Sequence, residues 1–506
     1  MNPYDRGRLG AVLLVLLPLV FWLQAIKRTE SFDKLGFAKL IEFAKLTPYK
    51  PILIGAVLAG LGLALLVMWM LSRLGKSEYA GAPFKTFLRG TAMVSHAKLA
   101  RSTAERSSEQ ITVAAVKMPT DIETKHLLIT GATGTGKSVA FLEIAYSALY
   151  RGDRAIVVDP NGDLFAKLGR RKDIVLNPFD LRSPGWDFFN EIRADYDFER
   201  YALSVVGEGA TNDEEQWNGY ARLLMAETAR KLKLIGTPSI QELSRWTTVA
   251  PPDDLKNFLA GTAAESLFVG ADKALASARF ILSKRIAPHL KMPPGSFSLR
   301  DWLAESDGSL YLTWREDMQA IVRPLMSAWI DILSTSVLSL PPSPDSRLWF
   351  LLEELASLGK LPSLQDLLTK GRKHGACAVG ALQSIAQIEQ IYGPKPAQAL
   401  LSCFRSTLAL GGSRIDSQTC EYVSRALGSH EVERDRYSRS ISVRHSGQTT
   451  QTEHKEERVV LPAQIAGLAD LSGYLSFAGD RPIAKVDLVP MNMAEVNPRF
   501  VPREFG

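Results

Sequence analysis

The amino-acid sequence predicts an α/β protein in which a P-loop nucleotide-binding domain is interrupted by an all-α segment and preceded by two transmembrane helices. A short apolar run, a glycine-rich turn and a run with helical spacing follow one another at residues 126–150. Two long apolar runs lie before residue 76, and helical patterns replace strand patterns between about 184 and 297. At 506 residues the chain also exceeds what one hydrophobic core usually serves.

Composition narrows the class of protein only in part. With 46% hydrophobic and 23% charged residues, the chain lies in the range of ordinary globular proteins. Its formal net charge of +6 suits a polyanionic partner or an acidic lipid surface and does not choose between them. The three cysteines, Cys377, Cys403 and Cys420, are far apart and lack a C-x-x-C spacing, so neither a disulfide framework nor a zinc site is predicted.

The two apolar runs, about 9–26 and 51–71, are predicted to be membrane-spanning helices. The second run is free of charged residues and, as a helix, is long enough to cross a hydrocarbon core of roughly 30 Å. The first contains Pro18 and has a cleaved signal peptide as its alternative, but no A-x-A-like site follows it. We therefore expect residues 1–75 to form a membrane anchor in contact with lipid.

The charge of the linker and the need for cytosolic ATP predict opposite orientations of this anchor. The linker 27–50 has an excess of Lys and Arg, which the positive-inside rule assigns to the cytoplasm. The motifs that follow need cytosolic ATP, however, and two spans then return the N-terminus to the cytosol. We give the second argument precedence and expect a multi-pass membrane protein with its ATPase domain in the cytoplasm and its linker in the periplasm.

The glycine-rich turn matches the P-loop pattern. Its glycines let backbone N–H groups converge on phosphates, Lys137 reaches the outer phosphates of ATP, and the Ser138 hydroxyl ligates Mg²⁺. A glycine turn without this role is the alternative, which the strand, loop and helix context opposes. The predicted nucleotide-binding residues are Gly131, Ala132, Thr133, Gly134, Thr135, Gly136, Lys137, Ser138 and Val139.

A P-loop also needs a carboxylate beside the metal and a group that orients the attacking water. The apolar run 348–352 ends in Glu353 and Glu354, so we expect Glu353 to approach the metal shell and Glu354 to polarise water. A solvated helix cap is the alternative for both. An earlier apolar run ends in Asp159, with Asn161 close behind, where a site role and an ordinary turn at a strand end are equally supported.

Three further polar residues are candidates for contact with the nucleotide. If the strand that ends at Gln383 lies between the P-loop strand and the Glu353 strand, its carboxyl edge opens where ligands of doubly wound sheets bind. Arg372 follows a helix, where cations are favoured by the helix dipole, and an arginine finger at this position requires a neighbouring subunit. For Arg414, in a Gly-Gly-Ser-Arg turn after the next apolar strand, a similar role and a turn position without that role are equally supported.

These motifs resemble those of a known family. The stretches ITGATGTGKS, VVDPNGD, ELASLGKLPSL, LTKGRKHG, ALQS, LGGSR and FAGDRPIAK follow one another behind two apolar runs. In this order they are similar to the TrwB and TraD type of coupling proteins of type IV secretion, over nearly the whole chain. The resemblance implies a RecA-like domain with an inserted all-helical domain, assembled as a hexameric ring on an inner-membrane anchor.

The resemblance also implies a function in conjugation. Such rings couple ATP hydrolysis, with Mg²⁺, to the passage of single-stranded DNA and its relaxase toward the secretion channel and its inner-membrane components; duplex DNA stays open as a substrate. Lys137 and Ser138 match the Walker A pair, Glu354 the catalytic carboxylate, Gln383 the nucleotide sensor and Arg372 the finger. Glu353 departs from the aspartate that is usual in the family, which puts the rate and the metal preference in doubt.

Domain boundaries follow from the same patterns. We expect the anchor at 1–75, the nucleotide-binding domain at 76–183 and 298–506, and the all-α domain at 184–297, with helix starts at Ser239 and Pro252. Trp217 has a packed core position and base stacking as its two interpretations. Residues 430–458 are predicted to be an exposed hairpin or loop, and 473–485 the last edge strand of the main sheet.

Four other functions are alternatives to a DNA pump. A membrane-bound protease lacks its H-E-x-x-H zinc motif here, and a transporter cassette lacks its LSGGQ-like signature. A docking receptor for the relaxase–DNA complex, with little motor activity, remains open because of Glu353. A chromosome-segregation translocase also remains open, although no duplex-reading domain is recognisable after the ATPase motifs.

Overall fold

The computed structural model divides the chain into two compact units, 1–83 and 84–506. The predicted boundary between residues 75 and 76 lies outside the described residues. The structure describes residues 3–29, 37–74, 84, 86–209, 211–269, 272–343, 345–441 and 446–504.

The first unit consists of three helices, α1 (Pro3–Thr29), α2 (Phe37–Leu46) and α3 (Pro51–Leu74). Helices α1 and α3 touch where Gly60 meets Pro18, since a Cβ on Gly60 would lie 2.6 Å from the Cα of Pro18. The Trp22 indole N–H also donates a hydrogen bond of 2.9 Å to the Thr47 hydroxyl. The two predicted spans therefore form a pair of packed helices.

Only part of the membrane prediction has a counterpart in this unit. Among the described residues, one helical segment, Pro51–Met70, has the length and apolar composition to cross a membrane. The run 9–26 lies in helix α1, and its passage through a membrane stays a prediction.

The second unit alternates strands and helices. Its strands are β1 (Thr86–Gly90), β2 (Met93–Val94), β3 (Thr112–Val113), β4 (Val116–Lys117), β5 (Leu127–Thr130), β6 (Arg154–Pro160), β7 (Ile174–Leu176), β8 (Leu310–Trp314), β9 (Leu348–Leu352), β10 (Ala376–Leu382), β11 (Ser406–Leu410), β12 (Ser429–Ile441), β13 (Ser446–Arg458), β14 (Ser472–Ser476) and β15 (Ile483–Asp487). Its helices are α4 (His96–Thr103), α5 (Lys137–Arg151), α6 (Asp163–Leu168), α7 (Asp197–Val206), α8 (Asn212–Leu234), α9 (Ile240–Ser244), α10 (Pro252–Phe258), α11 (Asp272–Ile286), α12 (Leu299–Glu305), α13 (Gln319–Val337), α14 (Leu364–Lys370), α15 (Ile385–Tyr392), α16 (Pro394–Ser402), α17 (Ser417–Ala426) and α18 (Pro462–Ala466).

A ten-stranded sheet, in the order β2-β15-β14-β11-β5-β10-β9-β6-β8-β7, organises this unit. The strands from β11 to β7 are parallel to one another, and β14 and β15 join β11 in antiparallel pairing. Strand β10 lies between β5 and β9, as predicted for the strand that ends at Gln383. All five residues of β9 are buried, as expected of a parallel strand that is covered on both faces.

The sheet separates two hydrophobic cores. Because successive side chains of a strand point to opposite faces, Leu127 and Ile129 of β5 pack in one core, whereas Leu128 packs in the other. Helix α5 covers the first face, and α13 contributes to the second. Packing on both faces fixes the register of the central strands and therefore the height at which each strand ends.

Between β7 and β8 the described residues form helices and turns, among them α7 to α12. Ser239 is the N-cap of α9, as predicted, and its hydroxyl accepts a hydrogen bond of 3.1 Å from the Glu242 N–H. Helix α10 begins at Pro252, also as predicted. The Trp217 ring meets Tyr220 edge to face and packs against the core, which supports the packed-core interpretation.

The C-terminal part corrects one prediction. Residues 429–458 form the predicted hairpin, β12 and β13, and pair with β1 in a separate three-stranded sheet. The segment 473–485, predicted as a single edge strand, forms β14 and β15 of the main sheet. Strand β2 pairs outside β15, so the prediction of a last edge at 473–485 was wrong. The edge is a two-residue strand that is too short to leave a pattern in the sequence.

A buried ion-pair network fixes the amino ends of the central strands. The Glu123 side chain is 1% exposed and lies 2.6 Å from the Arg151 guanidinium and 2.8 Å from that of Arg347. Arg151 also pairs with Asp153 at 2.6 Å. Because Arg151 ends α5, Asp153 precedes β6 and Arg347 precedes β9, the network ties these three elements to one carboxylate.

Replacing Glu123 by Ala is expected to lower the thermal unfolding midpoint of the α/β unit by several degrees. The change removes the carboxylate that two partly buried guanidinium groups share, and losing one partner of a buried ion pair costs about 3–5 kcal/mol. Scanning fluorimetry of the full chain in detergent measures the midpoint. Asp307→Ala, which removes the exposed partner of Lys172, is the control; equal midpoints for the two variants would contradict the prediction.

Candidate nucleotide-binding site

The glycine-rich loop joins the end of β5 to the start of α5. Gly134 and Gly136 have φ of 83° and 108°, in the left-handed region that favours glycine. A Cβ on Gly136 would lie 2.8 Å from Leu471 Cδ2 and 2.9 Å from Leu488 Cδ1. Both the backbone angle and the close packing therefore require glycine at position 136.

Neighbouring strands hold the loop in place. The Ala132 N–H donates to the Gly411 carbonyl at 2.8 Å, and the Thr135 carbonyl accepts from the Leu471 N–H at 3.1 Å. The loop is therefore supported by the segment after β11 and by the segment before β14. This support keeps the backbone in the shape that binds phosphate through its N–H groups.

Lys137 folds back over this loop. Its ammonium group donates hydrogen bonds of 2.8 Å and 2.9 Å to the carbonyls of Gly131 and Ala132. Burial lowers the pKa of the Lys137 ammonium, while the charges of Glu354 and Glu353 raise it. The predicted lysine and the two predicted carboxylates therefore share one electrostatic site.

Ser138 and Glu353, the predicted metal-binding pair, are in contact. The Ser138 hydroxyl donates a hydrogen bond of 2.5 Å to Glu353 Oε1. Burial raises the pKa of the Glu353 carboxyl, and this hydrogen bond opposes the rise. A hydroxyl and a carboxylate are hard oxygen ligands of the kind that Mg²⁺ takes together with phosphate and water. Within the described part of the chain, no group of three His, Cys, Asp or Glu side chains forms a self-sufficient metal site.

Glu354 and Gln383 lie at the same edge of the sheet. Glu354 follows Glu353 at the end of β9 and begins a short 3-10 helix, Leu355–Leu358. Gln383 follows β10, and its Oε1 accepts a hydrogen bond of 3.3 Å from the Thr133 hydroxyl. The structure thus brings the predicted sensor into contact with the P-loop.

Asp159 and Asn161 form a structural turn. The buried Asp159 carboxylate accepts hydrogen bonds from the N–H groups of Leu164 and Phe165, at 3.0 Å and 2.7 Å, at the start of α6. Burial raises the pKa of Asp159 to about 7. Asn161 has φ of 65°, and its side-chain amide contacts Glu316. Of the two interpretations of this pair, the structure supports the turn at a strand end.

The two predicted arginines lie at opposite edges of the sheet. Arg414 is exposed in the turn after β11, at the edge that carries the P-loop. Arg372 is exposed in a 3-10 turn, Gly371–His374, which precedes β10 and lies at the amino edge. There it lines a cavity of about 550 Å³ with Thr120 and Asp121. Since β5 and β10 are parallel, Arg372 does not reach the P-loop of its own chain.

The C-terminal segment adds contacts near the site that sequence reasoning missed. The Arg499 guanidinium pairs with Asp163 at 2.6 Å, and the Asp163 charge helps to raise the pKa of Glu353. A Cβ on Gly162 would lie 2.4 Å from the Arg499 carbonyl oxygen. The only local signal was the Asn-Gly-Asp turn, because the partner comes from the far end of the chain.

Taken together, the parallel sheet, the P-loop and the Ser138–Glu353 pair define a P-loop nucleotide-binding protein. The family model described as the type IV secretion-system coupling protein DNA-binding domain matches residues 110–489. The chain belongs to this family of coupling proteins, in agreement with the resemblance seen in its motifs.

Individual relatives agree with this assignment. The chain is 55% identical to the plasmid coupling protein TrwB in complex with the ATP analogue ADPNP, over 85% of this chain and 100% of that one, with a TM-score of 0.79. A TrwB structure in complex with ADP and Mg²⁺ gives the same identity and TM-score over 84% of this chain and 100% of that one. The coupling protein TraD of Escherichia coli (strain K12) is 28% identical over 76% of this chain, which spans 55% of the length of TraD.

Replacing Asp159 by Asn is expected to flatten the pH dependence of stability between about pH 4 and pH 7. The Asp159 carboxyl has a pKa of about 7 in the folded chain and about 4 in an unfolded chain. Its contribution to stability is complete below pH ~4 and is lost as the pH rises through ~7, because the folded state holds the extra proton. Asparagine does not titrate.

Thermal midpoints of both proteins, measured without nucleotide, test this expectation. The midpoint of the wild type minus that of the variant should fall as the pH rises across the window. A difference that is constant with pH would contradict the assignment of the raised pKa to Asp159.

Proposed function

We propose that the chain is an ATPase that couples ATP hydrolysis to transfer of single-stranded DNA, with its relaxase, into a type IV secretion channel during conjugation. The observation that carries the proposal is the contact of Ser138 with Glu353 beside Lys137, because it assembles the parts of a hydrolytic P-loop at one edge of the sheet. Two facts about relatives support it: TrwB has been solved with ADPNP and with ADP and Mg²⁺, and the matching family model describes a DNA-binding domain.

Each site residue has a role in this proposal. The N–H groups of the loop 131–136 bind the phosphates, and Lys137 exchanges its two loop carbonyls for the outer phosphates. Ser138 and Glu353 would hold Mg²⁺, which would neutralise phosphate charge. Glu354 orients the attacking water and accepts its proton, and Gln383 contacts the γ-phosphate. Arg414 approaches the nucleotide from the turn after β11.

Glu353 stands where the resemblance to coupling proteins leads us to expect an aspartate. Its longer side chain reaches the Ser138 hydroxyl directly. The Ser138 hydroxyl and the Glu353 carboxylate would hold Mg²⁺, which would supply positive charge to the phosphates. This geometry favours a working ATPase over a docking receptor that binds ATP without turnover.

In this proposal, a neighbouring subunit contributes a positive charge to the nucleotide site. Arg372 is held at the amino edge of the sheet, away from the P-loop of its own chain, so we propose that it completes the site of a neighbouring subunit. A ring of identical subunits, which we take to be a hexamer, repeats this interface. The RecA-like domain, 76–183 and 298–506, forms the ring, and the all-α domain, 184–297, is inserted into it.

The first unit is proposed as the membrane anchor. Helix α3 exposes large apolar side chains, with Leu58 and Leu65 63% and 53% exposed, and an aliphatic surface of this kind is stable in lipid. We propose that α1 and α3 both span the bacterial inner membrane, with the N-terminus and the ATPase domain in the cytoplasm. The segment 30–50 then faces the periplasm, where channel components are accessible.

Single-stranded DNA is expected to raise the ATPase activity of the full chain in detergent severalfold at low salt. Phosphate contacts drive such binding, so the stimulation should decline steeply as salt rises. Lys137→Ala is the control that removes the phosphate-binding ammonium and should have no activity. Absence of stimulation, together with equal activity of the control, would overturn the pump; nucleotide binding without turnover would leave the docking receptor.

A mixture of two inactive variants is expected to recover activity if Arg372 acts between subunits. Arg372→Ala and Lys137→Ala should each be inactive alone, because each lacks one half of every site. In mixed rings, the intact P-loop of an Arg372→Ala copy meets the intact arginine of a Lys137→Ala copy. ATP hydrolysis by co-purified mixed oligomers measures the recovery.

The matched control is Lys370→Ala, which removes a neighbouring exposed cation that pairs with Asp366 and should retain activity as a homo-oligomer. Mixed rings that remain as inactive as the two separate variants would contradict the interface.

A further inference from the structure

A second cavity lies within the α/β unit, at the boundary of the segment proposed as the all-α domain. Its volume is about 430 Å³. Its walls come from the end of α7 with the following turn, the start of α13, the segment after the 3-10 helix Leu355–Leu358, and the end of α15. None of the residues assigned to the nucleotide site lines it.

Cations dominate the charge of this cavity. Arg285 of α11, Arg323 of α13 and Lys360 line it, against one carboxylate, Glu208. Lys360 pairs with Glu208 at 2.7 Å. Within the described residues, neither arginine side chain has a hydrogen-bond or ion-pair partner, so the cavity keeps two uncompensated positive charges.

The two arginines lie near each other, and both are exposed to solvent. Partial burial lowers the pKa of the Arg285 guanidinium, and the Arg323 charge lowers it further. The Arg323 side chain passes beside Gly359, because its Cδ and Nε both lie 3.9 Å from the place of a Cβ on that residue. Gly359 has φ of 71°. Two like charges that line one cavity, whose single carboxylate is already paired with Lys360, are typical of a site that binds an anion.

We propose that this cavity, with Arg285, Arg323 and Lys360, binds backbone phosphates of the single-stranded DNA that the protein moves. The inference rests on the proposed function and assigns the phosphate contacts to named residues. A guanidinium presents paired donors that match phosphate oxygens. A cavity of this volume holds a short segment of one strand and is too small for a duplex.

The cavity is connected to the catalytic residues by two short segments. Lys360 lies at the end of the segment that begins at Glu354 and runs through the 3-10 helix Leu355–Leu358. Helix α15 begins two residues after Gln383 and ends at Tyr392 in the cavity wall. The Tyr392 hydroxyl accepts a hydrogen bond of 3.0 Å from the Leu361 N–H, which joins the two segments.

Helix α13 is joined to the same wall. The Ser327 hydroxyl, one turn after Arg323, donates to the Leu358 carbonyl. A phosphate that draws Arg323 and Lys360 together therefore acts on the segment that carries Glu354. This arrangement gives DNA a direct physical route to the residues that activate water and sense the γ-phosphate.

The test is the binding of a fluorescent single-stranded oligonucleotide to the full chain in detergent, over a series of salt concentrations. The double variant Arg285→Gln/Arg323→Gln is compared with a charge-matched control, Lys284→Gln/Lys256→Gln, which removes two exposed cations of the same helical region outside the cavity. Thermal unfolding midpoints establish that both variants fold, and the single variants Arg285→Gln and Arg323→Gln replace the double variant if it does not.

We expect the arginine variant to bind roughly tenfold more weakly and its salt slope to fall by about 1.4, since each phosphate contact to a single strand contributes about 0.7. It should also need more oligonucleotide for half-maximal stimulation of ATP hydrolysis. The control should bind with the affinity and salt slope of the wild type.

Three results would overturn the proposal, and they are distinguishable. Equal losses in the arginine variant and the control would show only a general effect of charge, and would leave the proposed function standing. If inorganic phosphate and the oligonucleotide raise the thermal unfolding midpoint of the wild type equally, the occupant of the cavity would be free phosphate. A wild-type chain that binds no oligonucleotide at low salt would overturn the proposed function as well.

Discussion

The hydrogen bond between Ser138 and Glu353 depends on the register of three parallel strands, and the rest of the site depends on that register. Val379 of β10 pairs with Leu127 of β5 on one side and with Leu351 of β9 on the other. The strands therefore end at comparable heights, and the first turn of α5 meets the carboxylates that follow β9. Hydrophobic packing on both faces of the sheet keeps this alignment, because a shift by one residue would turn core side chains to the wrong face.

The carboxylates at this edge of the sheet differ in their electrostatic surroundings. The buried Asp159 has two backbone N–H donors and a pKa of about 7, and it stabilises the turn before α6. Glu353 keeps contact with Ser138, and its charge, with that of Glu354, opposes the lowering of the Lys137 pKa by burial. The opposed charges are partly desolvated and lie where a phosphate and a divalent cation would each find a partner of opposite sign. At this edge, Asp159 of β6 therefore stabilises a turn, whereas Glu353 after β9 belongs to the candidate nucleotide site.

The two edges of the parallel sheet also carry different groups of residues. The P-loop, Gln383 and Arg414 lie at the carboxyl edge, whereas Arg372 and the Glu123 network lie at the amino edge. Under the proposed function, a complete hydrolytic site takes Arg372 from a second copy of the chain. The cationic cavity lies on a third surface, next to the helical segment, and is joined to Glu354 by a few residues. The proposed contacts with nucleotide, neighbouring subunit and DNA thus lie on separate surfaces of the α/β unit.

The sequence by itself determined those features that depend on local pattern. The P-loop, the apolar strand before Glu353, the helix starts at Ser239 and Pro252 and the apolar run of α3 each come from contiguous residues whose spacing reflects their own conformation. Tertiary structure decided the rest: the structural role of Asp159, the distance of Arg372 from its own P-loop, the edge strand β2, the Arg499–Asp163 contact and the proximity of Arg285 to Arg323. Each of these depends on which distant segments become neighbours, and that is set by strand order and packing of the whole core rather than by the periodicity of any one segment.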